Sequence, residues 1–123
     1  MEQNQKLNFR KIAKQAAQIL KEKKGRDIIM LDVRKISDFA DYLVIASGTS
    51  ETHIKTLFSA VEEKLTVTPY KKEKKPKTKW AVLDYGGVVI HIMHDSLRRF
   101  YNLESHWAVA KKVVIKSRSV RKN

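Results

Sequence analysis

Residues 80–107 read WAVLDYGGVVIHIMHDSLRRFYNLESHW. The apolar runs WAVLDY and VVIHIMH flank the pair Gly86-Gly87. A two-residue connection between strands needs a positive φ angle, which glycine adopts without strain, so the pattern predicts a β-hairpin. Asp95 or Ser96 then offers an N-cap for a short final helix. So much specified shape with no obvious catalytic group favours a protein that docks onto a partner.

The rest of the chain predicts alternating helices and strands. Apolar residues at spacings of three and four mark the helices, and β-branched apolar runs mark buried strands. Residues 66–79 hold both prolines and predict a solvated excursion, in which TVTPY could begin with a short edge strand. Together these patterns favour an α/β fold, a mixed four- to five-stranded sheet flanked by helices. The predicted elements are a helix at 9–24 capped by Asn8 and ended by Gly25, strands at 27–33 and 42–47, a helix at 51–65 with the apolar stripe Ile54, Leu57, Phe58, Val61 and Leu65, the hairpin, and a final helix to about Ser105.

Length and charge divide the chain into one domain and a basic tail. The 123 residues suffice for a single core, and we place the domain at residues 1–110 and the tail at 111–123. Of the net charge of +13, segment 71–79 carries +5 and the tail carries +6. Such a balance favours a polyanionic partner, most often nucleic acid and less often an anionic membrane surface. The candidate RNA contacts in the segment are Lys71, Lys72, Lys74, Lys75, Lys77 and Lys79.

Other features of the sequence bear on its compartment. The chain contains no cysteine, so its redox environment cannot be inferred from disulfide usage. The longest apolar run is far shorter than the roughly 20 residues of a membrane-spanning helix. The N-terminal residues lack the apolar region of a secretory signal. The expected location is therefore the cytoplasm.

Side chains that could catalyse a reaction or bind a metal ion occur only singly. Two-metal nucleotidyl transfer needs paired carboxylates, but the position two residues after Asp84 is Gly86. His91 and His94 are three residues apart on a predicted strand, so their side chains face opposite sides of the sheet. We therefore expect no enzymatic activity, no cofactor and no metal site.

The turn Gly48-Thr49-Ser50 allows two interpretations. It joins the second predicted strand to the second predicted helix, where free backbone N–H groups could bind an anion. Ser50 or Thr49 could equally cap that helix. Capping is the favoured interpretation, because neither a P-loop nor a dinucleotide fingerprint surrounds the turn.

Four blocks of this sequence resemble, in order and spacing, the ribosomal silencing factor family RsfS, also called Iojap. The blocks are GRDIIMLDV, DYLVIASGTSETHI, WAVLDYGGVVIHIM and RRFYNLESHWAVA, and they extend from about Gly25 to Ala110. The resemblance implies a fold that is nucleotidyltransferase-like without a catalytic site. It also implies binding to the large ribosomal subunit, mainly to its fourteenth protein, at the face that meets the small subunit. Members of the family block subunit joining sterically and thereby repress translation when nutrients are short.

The resemblance also implies a docking surface, and this chain departs from the family near it. The family commonly has an acidic residue where this chain has Gly87, and its loop before Trp80 is less rich in lysine. Because that loop would repel a basic docking protein, we expect it to point towards neighbouring ribosomal RNA. An alternative function is a general basic RNA-binding module involved in ribosome assembly. Homodimerisation of the free protein, and a bacterial or an organellar ribosome as the target, are left open. The implied partner-binding residues are Trp80, Leu83, Asp84, Tyr85, Gly86, Arg99, Tyr101, Leu103 and Glu104.

Overall fold

The computed structural model describes residues 8–65, 71–73, 79–102, 105, 107 and 109–115. Three helices and six strands follow one another along this part of the chain. They are α1 (Phe9–Glu22), β1 (Arg26–Asp32), β2 (Tyr42–Gly48), α2 (Glu51–Lys64), β3 (Lys71–Glu73), β4 (Trp80–Asp84), β5 (Val88–His94), α3 (Asp95–Tyr101) and β6 (Lys111–Val113). None of these helices is long and apolar enough to traverse a bilayer.

The strands form one mixed sheet in the order β3-β4-β5-β2-β1-β6. The central pair β2 and β5 is parallel, from Tyr42 opposite Val88 to Gly48 opposite His94. The four other pairings are antiparallel. The predicted mixed α/β sheet is confirmed. It reaches six strands because two strands of three residues each, β3 and β6, extend the edges.

Both added strands fall where the sequence predicted irregular structure. β3 lies in the predicted excursion and pairs with β4, whereas the TVTPY segment at 66–70 lies outside the described residues. β6 lies in the predicted tail, yet its three residues pair with Met30–Asp32 of β1. Ile115 also packs against the core, so the domain extends beyond the predicted boundary at residue 110. Edge strands often carry lysine, because they are exposed to solvent along one side. Such strands lack the long apolar runs by which buried strands are predicted, so the sequence pattern did not indicate them.

Helices α1 and α2 cover one face of the sheet. The seven residues of β2 are all buried, as expected for a central strand. The predicted stripe of α2 is confirmed, since all five of its residues are buried against this face. The stripe of α1 contributes a second row of buried side chains, namely Ile12, Ala13, Ala16, Ala17, Ile19 and Leu20.

The caps of α1 and α2 follow the prediction at their N-termini. The Asn8 side chain accepts a hydrogen bond from Lys11 N at 3.1 Å, and the Ser50 hydroxyl accepts one from His53 N at 3.0 Å. At the C-terminus of α1 the left-handed residue is Lys24, with φ +69°, and not Gly25. Gly25 instead donates its N–H to Leu20 O at 2.8 Å, and a Cβ there would lie 2.9 Å from the same oxygen. The glycine is therefore needed for close approach and not for a positive φ angle.

Helix α3 begins and ends earlier than predicted. Its N-cap is His94, whose side chain accepts a hydrogen bond from Ser96 N at 3.1 Å, and not Asp95 or Ser96. It ends at Tyr101 and not near Ser105, because Asn102 adopts the left-handed conformation with φ +47°. Asparagine is one of the few residues that enter this region at modest cost.

The second face of the sheet is covered by a smaller core and by α3. Leu31, Val33, Leu43 and Ile45 form a smaller core there with Trp107 and other partly buried neighbours. Helix α3 is fixed over this face by the buried Arg98, which donates a hydrogen bond to Ser47 Oγ at 2.9 Å. The outer side of the β4–β5 hairpin lies on the same face, beside the smaller core and α3.

Candidate docking surface

Alternation along β4 assigns its side chains to two different environments. Ala81 and Leu83 point into the core under the helices, whereas Trp80, Val82 and Asp84 lie on the opposite face and are only partly buried. In the register of the hairpin Val82 lies opposite His91, and Asp84 lies opposite Val89. The outer side of the hairpin therefore carries five partly buried side chains, those of Trp80, Val82, Asp84, Val89 and His91.

The predicted two-glycine connection is confirmed, but its glycines have different tasks. Gly86 has φ +86° and faces open space, and its N–H donates to Asp84 Oδ1 at 2.8 Å. Gly87 has no positive φ, but a Cβ there would clash with the ring of Phe9. Its carbonyl accepts hydrogen bonds from the N–H groups of Asp41 and Tyr42 at 2.8 and 3.0 Å. The turn is thus tied to α1 and to the start of β2, and the Asp84 carboxylate has a structural role in it.

An aromatic cluster lies where Trp80, the first residue of β4, contacts the last turn of α3. Trp80 packs against His91, with ring centroids 5.9 Å apart, and against Tyr101 at 5.5 Å. Phe100 meets Tyr101 edge to face at 5.0 Å. Phe100 is 78% exposed and Tyr101 is 48% exposed, so the cluster presents a large aromatic surface to solvent. We name Trp80, Phe100 and Tyr101, with the adjacent Arg99 and with Asp84 at the opposite end of β4, the docking surface.

His91 holds the indole of Trp80 in place. Trp80 Nε1 donates a hydrogen bond to His91 Nδ1 at 2.9 Å, so the imidazole carries its own proton on Nε2. Burial lowers the pKa of His91 to about 4, which keeps the ring neutral and able to accept at physiological pH. The orientation of Trp80 is therefore set before any partner arrives.

Two residues of the implied docking set lie in the core. Leu83 is fully buried and Tyr85 is 5% exposed, both under the helices, so neither can form part of a contact surface. The Tyr85 hydroxyl makes no hydrogen bond among the described residues, and burial raises the pKa of Tyr85 to about 12. The assignment of these two residues fails because neighbouring residues of a strand face opposite sides.

The other members of that set keep surface positions where the structure describes them. Gly86 and Arg99 are exposed, and Trp80 and Asp84 are partly so. Leu103 and Glu104 lie outside the described residues. Phe100 is exposed and was missed by sequence reasoning, because its spacing of three from Leu97 is equally typical of a buried helical stripe.

The candidate RNA-contacting lysines are described only in part. The β3 backbone places residues 71 and 72 beside Asp84 and Leu83 of β4. Lys79 is exposed, and its carbonyl accepts a hydrogen bond from His94 N at 2.8 Å. Lys74, Lys75 and Lys77 lie outside the described residues. The lysine segment thus starts in the edge strand β3, beside Asp84, and its last residue, Lys79, directly precedes Trp80 of β4.

The Gly48-Thr49-Ser50 turn is occupied by internal contacts. Besides the Ser50 cap, Thr49 N donates to His53 Nδ1 at 3.1 Å, which leaves His53 Nε2 to donate to Lys23 O at 3.0 Å. The imidazole therefore links the N-terminus of α2 to the C-terminal end of α1. These contacts favour capping over anion binding.

The carboxylate of Asp32, at the end of β1, is also engaged by a neighbouring residue. Asp32 forms a two-point ion pair with Arg34, at 2.7 and 3.0 Å, and the hydrogen bonds from Arg34 lower the pKa of Asp32 to about 2. In the same part of the chain no group of three acidic or histidine side chains is arranged to hold a metal ion.

Known proteins share both the sequence pattern and the fold. A family model described as "Ribosomal silencing factor during starvation" matches residues 6–123. Ribosomal silencing factor RsfS of Bacillus subtilis is 32% identical over 85% of this chain and 91% of its own length. The mouse protein named mitochondrial assembly of ribosomal large subunit protein 1 is 33% identical over 74% of this chain and 42% of its own length. A crystal structure of a Chromobacterium violaceum protein superposes with a TM-score of 0.78 at 29% identity, covering 94% of this chain and 95% of that one. This chain belongs to the RsfS family of ribosomal silencing factors.

Proposed function

We propose that this protein binds the large ribosomal subunit through the docking surface, mainly on the fourteenth large-subunit protein. Bound there, it sterically blocks joining with the small subunit and so represses translation under nutrient limitation, in the cytoplasm. The observation that carries the proposal is the exposed aromatic cluster on the sheet face opposite α1 and α2. The name of the mouse relative, which refers to the large subunit, supports the choice of subunit.

The composition of the surface suits a protein partner. Aromatic residues and arginine dominate the centres of protein interfaces, and exposed aromatic residues in one patch usually mark such a site. Trp80 is fixed by its hydrogen bond to His91, so binding costs little side-chain entropy at this position. Arg99 supplies a charge beside the aromatic centre and Asp84 supplies one at the opposite end of β4, and two separated charges favour one orientation of the partner.

Loss of the aromatic anchors is expected to abolish ribosome binding. Trp80→Ala and Tyr101→Ala should each weaken binding to isolated large subunits by at least about 30-fold, because a central anchor contributes on the order of 2 kcal/mol or more. Co-sedimentation with separated large subunits measures the affinity. Formation of joined ribosomes after small subunits are added measures the block.

Two variants are matched controls for this experiment. Phe39→Ala removes an aromatic side chain that is 90% exposed but lies on the loop after β1, and it should bind normally. Tyr85→Phe removes only a buried hydroxyl and should also bind normally. Equal losses in Phe39→Ala and Trp80→Ala, or normal binding by both anchor variants, would show that the partner binds another surface.

The lysine segment is expected to add contacts with ribosomal RNA beside the docking protein. Replacing its six lysines by glutamine should make large-subunit binding less sensitive to salt, by about 0.7–0.9 in the log–log slope for each phosphate that is no longer neutralised. The slope is measured by co-sedimentation over a series of KCl concentrations. An unchanged slope would leave the segment a solubilising element.

Naked RNA separates the proposal from its alternative. A general RNA-binding module would bind unrelated RNA tightly at physiological salt, and Trp80→Ala would leave its ribosome binding largely intact. Strong dependence of ribosome binding on Trp80, with naked RNA bound more weakly than large subunits, supports docking onto a protein of the large subunit.

A further inference from the structure

Outside the lysine segment and the tail, positive charge is concentrated in the first 25 residues of the sequence. Residues 1–25 contain seven lysine or arginine residues and two acidic ones. Segments 26–70 and 80–110 together contain seven lysine or arginine residues and ten acidic ones. Outside the lysine segment and the tail the net charge is close to zero, because a positive region at residues 1–25 is partly offset by a negative balance in segments 26–70 and 80–110.

The helical period places the cations of α1 along its outer face. At 100° per residue, Lys14 and Lys21 fall within about 40° of Arg10, and Lys11 lies about 100° away. All four side chains are exposed, on the side away from the buried stripe. Arg10 and Lys21 are separated by about 16 Å along the helix. We name Arg10, Lys11, Lys14 and Lys21 the basic face of α1.

Polar side chains extend this face towards α2. An open groove of about 580 Å³ runs beside Arg10, Lys11 and Lys14, and its other lining residues include the amide side chains of Asn8, Gln15 and Gln18. At its far end Lys64 forms an ion pair with Glu22 at 3.7 Å. Cations and amides in one groove are the side chains that most often contact phosphate and sugar.

Helix stability does not explain these charges. Arg10 and Lys11 lie in the first turn of α1, where the helix dipole disfavours positive charge, and that turn contains no acidic residue. Helix α2, by contrast, begins with Glu51. A helix that keeps cations at the unfavourable end points to a binding role.

We propose that the basic face of α1 is a second interaction surface, which binds the phosphate backbone of RNA. A protein partner would need apolar anchors. The large apolar residues that are exposed in the described part of the chain all lie outside α1 and α2, namely Ile36, Phe39, Phe100, Tyr101, Val109 and Val114. A membrane surface would need the apolar face of α1, but that face is buried in the core.

The two interaction surfaces lie on different sides of one sheet. Helix α1 packs on the face that holds Leu83 and Tyr85, whereas the docking surface lies on the other face. RNA on α1 and a protein on Trp80 can therefore be bound at the same time. The inference goes beyond the proposed function and does not depend on it.

The test compares the salt dependence of RNA binding between variants of the full chain. The variant Arg10→Gln/Lys11→Gln/Lys14→Gln and the parent are titrated onto a labelled RNA duplex of about 16 base pairs over a KCl series, with fluorescence anisotropy as the readout. We expect the log–log slope to become shallower by about 2–3, since each neutralised phosphate contributes about 0.7–0.9. The Tm should stay unchanged or rise, because the helix dipole no longer opposes Arg10 and Lys11. Should the triple variant fail to fold, the single variants Arg10→Gln and Lys14→Gln should each lower the slope by about 0.7–0.9.

A charge-matched control uses three lysines in the edge strand β6 and in the loop after β1. Lys35→Gln/Lys111→Gln/Lys112→Gln removes the same charge from exposed positions and should leave the slope nearly as in the parent. Equal reductions of the slope in the two triple variants would overturn the proposal and show general electrostatic attraction. If RNA binding were lost only when the chain is truncated after Ile115, the proposal would be overturned, and the basic tail would be the RNA-binding element. Trp80→Ala should leave RNA binding unchanged, which separates this result from any failure of the docking surface.

Discussion

Gly87→Ala is expected to lower the free energy of unfolding by about 3 kcal/mol, the largest effect of any single methyl group added to the hairpin. The new Cβ would clash with the ring of Phe9, the first residue of α1. To make room, that ring must leave the core cluster it packs against or the turn must move. Movement of the turn would break the hydrogen bonds from Asp41 and Tyr42 to the Gly87 carbonyl. Urea unfolding followed by circular dichroism measures the decrease.

A second glycine and a double-mutant cycle separate the causes. Gly86→Ala meets no neighbouring atom but places an alanine at φ +86°, which costs about 1–2 kcal/mol. If the clash with Phe9 is the cause, Gly87→Ala should cost much less in a Phe9→Ala background than in the parent. An additive cycle, or a smaller destabilisation at Gly87 than at Gly86, would show that close approach to α1 is not what requires this glycine.

These two glycines show what the sequence could and could not predict. The Gly-Gly pair flanked by apolar runs predicts the hairpin, since that signal is local and rests on the φ angle of the turn. The need for Gly87 arises from Phe9, which lies 78 residues earlier in the chain, and no local pattern contains that approach. The strands of the sheet show the same difference between local signals and contacts that are distant in sequence. Long apolar strands such as β2 could be predicted from their runs, whereas the three-residue strands β3 and β6 depend on pairing with distant partners.

The docking surface remains a prediction, and the structure shows which of its implied residues reach the protein surface. The resemblance selected a run of neighbouring residues in β4, but alternation turns Leu83 towards the helices and leaves Trp80 and Asp84 on the other face. Phe100 and the hydrogen bond from Trp80 to His91 come from the packing of α3 and β5 beside β4, which is tertiary information. Alternation alone, applied to the predicted strand, would have removed Leu83 from the set.

The free energy of unfolding is expected to fall by about 3 kcal/mol between pH 6.5 and pH 4, because His91 is neutral in the folded protein. Burial lowers the pKa of His91 from 6.5 to about 4, so in this window the unfolded chain binds a proton that the folded protein does not. Stability must therefore decrease as the pH falls through the window. Asp32 adds a further decrease only at lower pH, between its ordinary pKa of 3.8 and about 2.

Two substitutions test the origin of this pH dependence. His91→Gln keeps a side-chain acceptor for Trp80 Nε1 but cannot be protonated, so the decrease between pH 6.5 and pH 4 should largely disappear. Trp80→Phe removes the donor and leaves a ring over His91, so most of the decrease should remain, since burial and not the hydrogen bond causes the shift. Urea unfolding at several pH values gives the slopes. A decrease that persists in His91→Gln would assign the acid sensitivity to other groups.

Protonation of His91 should also weaken binding to large subunits. A protonated Nδ1 cannot accept the hydrogen bond from the indole, so Trp80 loses the contact that fixes its orientation. Binding should therefore weaken as the pH approaches the pKa of His91.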